Sequence, residues 1–391
     1  MRHNPTRALA GRRGKRRRHP YPEGVSSLPY RPEFAGERPY GAPQIDVPVR
    51  LNVNENPYPP SPELVAEIER RVGQAARSLN RYPDRDATAL REDLATYLAG
   101  ESGVSLPPSN VWAANGSNEV MLQILTAFAG PGRAVVSFLP TYSMYPEYAR
   151  DTSSRWVTGR RREDFALDAS AVEEVMRRER PAVLLLASPN NPTGTALPLS
   201  QLREILRVAR GTGPEEGMAS LVVVDEAYAE FRRSGVPSAL ELLAGNPHLV
   251  VTRTMSKAFG AAGLRLGYMA AGRDVVDQVM VARLPYHLSA LTQAAARAAL
   301  AHREALARQV AAIRDERDGL VSRLRGLGLD VTDSDANFVL FGAFADRHAV
   351  WQALLERGVL VREIGPEGHL RVSVGTPGEN AAFLAALQEA M

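Results

Sequence analysis

Apolar residues along this chain fall into two rhythms that alternate through its middle. Short, near-continuous apolar runs recur at Val111–Ala114, Ala134–Phe138, Ala182–Ala187, Leu221–Val224 and Leu249–Val251, with Leu266–Ala270 as a further candidate. Between them apolar residues return every three or four positions, over Val120–Phe128, Val172–Arg178 and Leu202–Ala209. A run that is apolar on both sides of the chain reads as a strand buried on two faces, and the 3.6-residue period reads as a covering helix. The expectation is an α/β protein whose large domain is a mostly parallel mixed sheet with helices on both faces.

The pattern changes on either side. Prolines at 20, 22, 29, 32, 39, 43 and 48 predict an extended lead-in. A short strand over Arg50–Val53, the turn-rich NENPYPPSP, a helix starting near Pro62 and another over Leu90–Leu98 follow. After Pro285 a long Ala- and Arg-rich helical pattern spans Thr292–Leu324. Strands at Ala336–Phe341, Val359–Arg362 and His369–Val374 and a helix from Glu379 then close the chain, as in a smaller α+β domain. The expected division is a basic, proline-rich extension over 1–39, disordered at its start, and a segment 40–75 that contributes to the small domain. A large domain over 76–288 and a small domain over 289–391 complete it.

Composition narrows the function classes. The 391 residues are 45% hydrophobic and 23% charged, with no apolar run near the ~18 residues of a membrane span. Cysteine is absent, which excludes disulfides, thiolate metal sites and cysteine nucleophiles and fits a cytoplasmic enzyme. The formal charge of +3 misleads, because residues 1–20 carry eight basic side chains and no acidic one, leaving the rest at −5. A body built to bind nucleic acid is therefore not expected. The tail GRRGKRRRHP lacks the apolar stretch of a secretory signal. It suits contact with phosphate backbones or acidic surfaces, but with nothing to bury it reads first as a disordered extension.

Lysine usage draws attention to one stretch. Of 47 Lys plus Arg only Lys15 and Lys257 are lysines, and Lys15 lies in the tail. Arginine serves as a surface cation but does not lose its proton to become a nucleophile, whereas a desolvated lysine does. Lys257 sits in VVTRTMSKAFGAAGLRLGY, after the hydroxyls of Thr252, Thr254 and Ser256 and before Arg265. A chance survivor of arginine-preferring codon usage is the competing reading.

Three further features stand where strands are expected to end, the place where parallel sheets build sites. Asn115-Gly116-Ser117-Asn118-Glu119 opens a helix, and free N–H groups beside a glycine suit a phosphate; plain capping by Ser117 or Asn118 is the alternative. Ser188-Pro189-Asn190-Asn191-Pro192-Thr193-Gly194 is a stiff turn able to aim side chains. Asp225 ends the run Val222–Val224, where a buried carboxylate needs a cation or donors, or serves as a cap. A lysine, a strand-end acid, a phosphate cradle, an asparagine and a tyrosine together describe a site for pyridoxal 5'-phosphate. There the acid keeps the ring nitrogen protonated and the lysine amine moves the substrate proton. The seven histidines show no paired ligand spacing, so no metal is expected, and Gly211–Gly217 follows a helix, the wrong context for a dinucleotide loop.

From about Tyr40 to near its C-terminus the chain resembles the fold-type I aminotransferases, and within them the histidinol-phosphate aminotransferases. The segments that carry the resemblance are RPYGAPQ, LNVNENPYPP, NRYPDRD, NGSNE, PTYSMY, SPNNPTGT, VVVDEAYAEF, TRTMSKAFGAAGLRLGY, ANFVLF, GVLVRE and LRVSVGT. The resemblance implies that Lys257 is the Schiff-base lysine, Asp225 the partner of the ring nitrogen, and Asn191 and Tyr228 the ligands of the phenolic oxygen. It implies that Tyr142 stacks on the ring, and that the backbone of Ser117 and Asn118 holds the phosphate with Thr254, Ser256 and Arg265. Tyr82 would reach that phosphate from the other subunit of a homodimer. Arg371 would hold the substrate's anionic group, Arg362 would add the second cation a phosphate ester needs, and Tyr40 would close over it. A surface ion pair of Arg362 with Glu363 or a neighbour is the alternative. Many members carry an acidic residue where Asn118 stands here, and residues 1–24 have no counterpart.

The implied reaction transfers the amino group of L-histidinol phosphate to 2-oxoglutarate, giving imidazole-acetol phosphate and L-glutamate in histidine biosynthesis. An aromatic amino-acid aminotransferase on the same scaffold is the first alternative and a phospho-amino-acid decarboxylase the second. A non-catalytic regulator would need a folded DNA-binding module, and the ~40 residues before Tyr40 are too few and too rich in proline.

Overall fold

The computed structural model describes residues 28–391. The basic stretch 1–20 lies outside them. The described residues before Ala42 form a unit of their own. It holds one short 3-10 turn, Pro32–Phe34, beside which Arg31 pairs with Glu33 at 3.2 Å.

In the unit Ala42–Met391 twelve strands are present: β1 Val49–Arg50, β2 Val111–Ala114, β3 Ala134–Leu139, β4 Arg155–Arg160, β5 Val183–Ala187, β6 Leu221–Asp225, β7 Leu249–Thr254, β8 Gly267–Ala271, β9 Asp330–Val331, β10 Phe338–Gly342, β11 Val359–Leu360 and β12 Leu370–Ser373. Seven form one sheet in the order β2-β8-β7-β6-β5-β3-β4. Strand β8 runs antiparallel to both its neighbours, and the other pairings are parallel. This is the mixed, mostly parallel sheet expected from the apolar runs.

Alternation along the strands divides the core in two. Val111, Ala113, Leu184, Leu186, Val222, Val224 and Val251 pack on one face, with Trp112, Ala114, Val183, Leu185, Val223 and Val250 on the other. Each fully buried Val or Leu contributes roughly 1.5–3 kcal/mol, so both faces must be covered. The helices Gly116–Phe128 and Arg273–Ala282 cover the second face, and Thr88–Ser102, Ala169–Glu179 and Leu199–Ala209 cover the first.

A third core gathers Leu51 with Leu320, Leu324, Val339, Phe341, Val359, Leu370, Val372, Phe383 and Leu387. Around it lie the antiparallel sheet β12-β10-β9 and the parallel pair β1–β11. The closing helix, Pro377–Ala390, starts at a capping box formed by Thr376 and Glu379.

Several elements differ from expectation. The helical pattern after Pro285 is two helices, Ala290–Ala301 and Arg303–Gly326, because His302 leaves helical geometry at φ −103° and ψ 21°. The strands foreseen over Arg50–Val53 and Val359–Arg362 shrink to the two-residue β1 and β11, which pair with each other. Strand β4, RWVTGR, has no apolar run, since it is an edge strand with half its residues exposed.

Candidate active site

The parallel strands β5, β6 and β7 are neighbours, so their carboxyl ends lie side by side. That registry places the SPNNPTG turn, Asp225 and the Thr254–Lys257 loop together.

Asp225, the last residue of β6, is buried. Thr252 stands opposite it in β7, and its Oγ1 donates to Asp225 Oδ1 at 3.2 Å. The Ala227 N–H donates to the same oxygen at 3.2 Å, and the Tyr145 hydroxyl donates to Oδ2 at 3.2 Å. Among the described residues no cation pairs with it. Burial pushes this acid up to about 6, against the pull of those three donors, while Glu226 next door adds to the rise. An anion so placed suits a cationic N–H brought by a ligand.

Beyond β7 the chain turns back through Met255–Leu266. The Thr254 hydroxyl donates to Ser256 Oγ at 3.1 Å, and Arg265 Nη1 donates to Ser256 Oγ at 3.3 Å. Arg265 adopts φ +54°, which turns its side chain back toward this loop. On the facing side the helix Gly116–Phe128 begins at Asn115, whose side chain makes no cap. The Ser117 and Asn118 N–H groups therefore lie in the first turn, where intrahelical partners are lacking. A Cβ at Gly116 would stand 2.7 Å from Arg265 Nη2, and one at Gly267 would overlap the Ser117 backbone. The two glycines let helix start, hydroxyls and guanidinium converge as an anion cradle. The capping alternative for Ser117 and Asn118 does not describe this helix.

Lys257 Nζ donates to the Val53 carbonyl at 2.9 Å. Burial first, then the nearby Arg371 and Arg265 against the opposing Glu55, brings its amine down to about 8. An amine so placed is ready to lose its proton.

On the other side, Tyr228 OH accepts from Asn191 Nδ2 at 3.3 Å and from Asn54 Nδ2 at 3.1 Å. Asn191 Oδ1 in turn accepts from Arg371 Nη1 at 2.7 Å, while Arg371 Nη2 donates to the Asn52 carbonyl at 2.9 Å. Arg362 bridges Arg371 in antiparallel fashion, so the two side chains leave the same face of the ladder. Glu363 pairs with His348 at 3.0 Å and Arg347 at 3.5 Å, not with Arg362. The ion-pair alternative for Arg362 is not what forms.

The geometry thus brings together Lys257, Asp225, Tyr228, Asn191, Arg371, Thr254, Ser256, Arg265, Ser117 and Asn118, with Arg362 opposite Arg371 on its ladder. Tyr142 is half-buried beside them, edge-on to Tyr145 at 5.6 Å between ring centroids. Tyr82 is not brought to this chain's own site. It is 79% exposed and stacked on Tyr286 with centroids 4.3 Å apart. Tyr40 is exposed in the separate unit before Ala42. Sequence reading missed Tyr145, Asn52 and Asn54, and gave Thr252 no role. Strand pairing was the signal for Thr252; Tyr145 is one of two tyrosines in PTYSMY, and nothing in the segment says which one reaches the acid.

The donor set fits pyridoxal 5'-phosphate: a reactive enclosed amine, a buried acid with no cation of its own among the described residues, hydroxyl and amide groups between them, and an anion cradle. Comparison with known proteins agrees. The family model for aminotransferase class I and II matches residues 46–387. A histidinol-phosphate aminotransferase of Burkholderia lata is 58% identical over 94% of this chain and 97% of that protein. One from Frankia casuarinae is 55% identical over 94% of this chain and 91% of its own. The structure of histidinol-phosphate aminotransferase from Sinorhizobium meliloti in complex with pyridoxal-5'-phosphate covers 93% of this chain and 98% of that one, with a TM-score of 0.81 at 26% identity. With its sheet, its lysine and its relatives in agreement, the chain belongs to the class I and II aminotransferases, among the histidinol-phosphate aminotransferases.

Proposed function

We propose that this protein transfers the amino group of L-histidinol phosphate to 2-oxoglutarate, using pyridoxal 5'-phosphate and yielding imidazole-acetol phosphate and L-glutamate, a step of histidine biosynthesis. The observation that carries the substrate is the pair Arg362 and Arg371, two cations opposed on one ladder, of which Arg371 bears on the lysine. A lone carboxylate needs one guanidinium; a phosphate ester dianion is matched by two.

When bound, the cofactor supplies an aldehyde for the amine and an electron-poor ring that stores the electron pair released at the substrate carbon. Lys257 would be the residue that holds the cofactor through its aldehyde, and its freed amine would be the base that accepts the proton of the substrate carbon and the acid that gives it back. Asp225 would keep the proton on the ring nitrogen. Tyr228 and Asn191 would bond the phenolic oxygen, and Tyr142 would stack on the ring. Ser117, Asn118, Thr254, Ser256 and Arg265 would hold the phosphate. Arg371 and Arg362 fix the far end of the substrate so that the carbon to be deprotonated stays near Nζ.

We read the protein as a homodimer in which Tyr82 serves the neighbouring site. Tyr82, Val281 and Leu284 are 79%, 80% and 73% exposed. Their two segments are tied together by the Tyr82–Tyr286 stack and the Arg283–Asp86 pair at 3.0 Å. Such an apolar, half-rigid surface suits a partner copy. The segment 40–75 is assigned with 289–391 to a small domain, on the support of the β1–β11 pairing and the third core. The cysteine-free composition suits a cytoplasmic location.

The test is a half-reaction. Protein loaded with pyridoxal phosphate is mixed with histidinol phosphate or phenylalanine, and the loss of the bound cofactor's absorbance is timed. Faster conversion by histidinol phosphate at equal concentration is expected; preference for phenylalanine would replace this reading with an aromatic amino-acid aminotransferase.

A further inference from the structure

The donors on Asp225 are divided unequally between its two oxygens. Oδ1 accepts from both Thr252 Oγ1 and the Ala227 N–H, whereas Oδ2 accepts only from the Tyr145 hydroxyl among the described residues. Oδ1 has its lone pairs engaged and Oδ2 keeps one open, so Oδ2 is the atom left to receive an N–H from a ligand. Tyr145 is wholly buried as the first residue of the helix Tyr145–Asp151. A phenol at that depth needs a partner for its hydroxyl, and Asp225 is the partner the fold provides.

The surroundings make the bond matter. Asp225 has a second acid, Glu226, beside it and, among the described residues, no cation paired with it. Around Tyr145 stand Tyr142, Tyr148 and Asp225, with Arg161 nearby, whose guanidinium is spent on the Phe138 and Phe165 carbonyls at 3.3 Å and 3.1 Å. Burial favours the protonated acid, and a protonated acid cannot hold a proton on the ring of the cofactor.

We infer that Tyr145 is a positioning residue for this reaction: its hydroxyl aims Asp225 Oδ2 at the ring nitrogen of pyridoxal phosphate and keeps that oxygen ionised. The inference rests on the cofactor reading given above. Thr252 acts on the other oxygen, Oδ1, which keeps the Ala227 N–H when that hydroxyl is removed.

The experiment compares wild type with Tyr145→Phe, Thr252→Val, Asp225→Asn and the Tyr145→Phe/Asp225→Asn double variant. Each is freed of cofactor and titrated with pyridoxal phosphate from pH 5 to 8.5, giving a Kd at each pH; kcat and KM follow at pH 7.5. Tyr145→Phe is expected to weaken cofactor binding ~10-fold, the loss of one hydrogen bond to a charged group, and to raise by about one unit the pH below which binding fails. Its kcat falls more than ~10-fold while KM for histidinol phosphate stays within about twofold. In the Asp225→Asn background the same change costs about nothing in Kd, since no carboxylate remains to be held. Lower thermal stability with an unmoved Kd and pH midpoint would overturn the inference and leave Tyr145 a core residue. If Tyr145→Phe does not fold, Thr252→Val decides. A midpoint shift under about half a unit supports Tyr145, and a larger one hands the carboxylate to Thr252. A wild type that takes up no pyridoxal phosphate sinks the cofactor reading and this one together; normal uptake with no effect of Tyr145→Phe sinks this one alone.

Discussion

Arg362 and Arg371 stand directly opposite one another, each backbone N–H donating to the other's carbonyl at 2.9 Å. Only Arg371 is held by the site, through Asn191 and the Asn52 carbonyl. The Arg362 side chain has no hydrogen-bond or ion-pair partner among the described residues. Among the described residues one guanidinium is fixed and the other is not.

From this arrangement Arg362→Ala is expected to lower kcat/KM for histidinol phosphate ~100-fold, the order of one or two charge-assisted hydrogen bonds. Phosphate-free histidinol should lose less than about threefold. Steady-state kinetics on the two substrates check it, and equal losses on both would remove Arg362 from phosphate recognition.

Lys257 gives a pH dependence with a definite sign. Its folded value of about 8 lies below the ordinary 10.5. Between those values the folded chain binds fewer protons than the unfolded one, so stability rises with pH through that window. The contribution is complete above 10.5 and is lost as pH falls through 8. Cofactor-free wild type is therefore expected to gain stability relative to Lys257→Met from about pH 8 upward. Uptake of pyridoxal phosphate should rise with a midpoint near the same pH, and borohydride should trap an adduct at position 257 in wild type and none in the variant. Thermal melts and peptide mapping check both.

Much of this was legible in the chain, for physical reasons that also mark where legibility ends. Strands such as Val183–Ala187 are buried on both faces, and burial writes itself as an uninterrupted apolar run. Lys257 stood out because the chain uses almost no other lysine. The β1–β11 pair did not, because two residues carry no period and their pairing spans some three hundred positions. Tyr145 and Thr252 are ordinary residues whose roles come from registry: Thr252 faces Asp225 only because β6 and β7 pair in that frame. The opposition of Arg362 and Arg371 likewise hangs on one bridge.

The exposed Tyr82 leads to a mixing experiment. If its hydroxyl serves the neighbouring site, Tyr82→Ala and Lys257→Ala are each nearly inactive alone. Co-refolded, they form mixed dimers in which one site draws a wild-type Tyr82 and a wild-type Lys257 together. Activity is expected to return toward roughly a quarter of wild type, since half of random dimers are mixed and each restores one of two sites. Size-exclusion chromatography and the transamination assay check it; no recovery in confirmed mixed dimers would return Tyr82 to a surface role.

Behind the catalytic face lies a second buried set of charges, placed by the same alternation along β7. Thr252 and Thr254 face the site, while Arg253 points the other way, to Glu226 at 2.7 Å, Glu101 at 3.1 Å and Glu230 at 3.2 Å. Arg232 also reaches Glu101 at 2.9 Å and Glu226 at 3.5 Å. Two guanidiniums thus serve three carboxylates, and burial already pushes Glu230 above its ordinary value. Removing Arg253 leaves buried acids short of a counter-charge, which costs about 3–5 kcal/mol at neutral pH. The sign with pH follows. Glu230, already raised, would then rise further above the ~4.3 of an unfolded glutamate, so the folded chain binds more protons in between and stability is lost as pH rises. Arg253→Ala is therefore expected to melt well below wild type at pH 7.5 and to recover part of the gap at pH 5. Paired melts at the two pH values decide it, and a gap independent of pH would mean that Arg253 contributes packing and not charge.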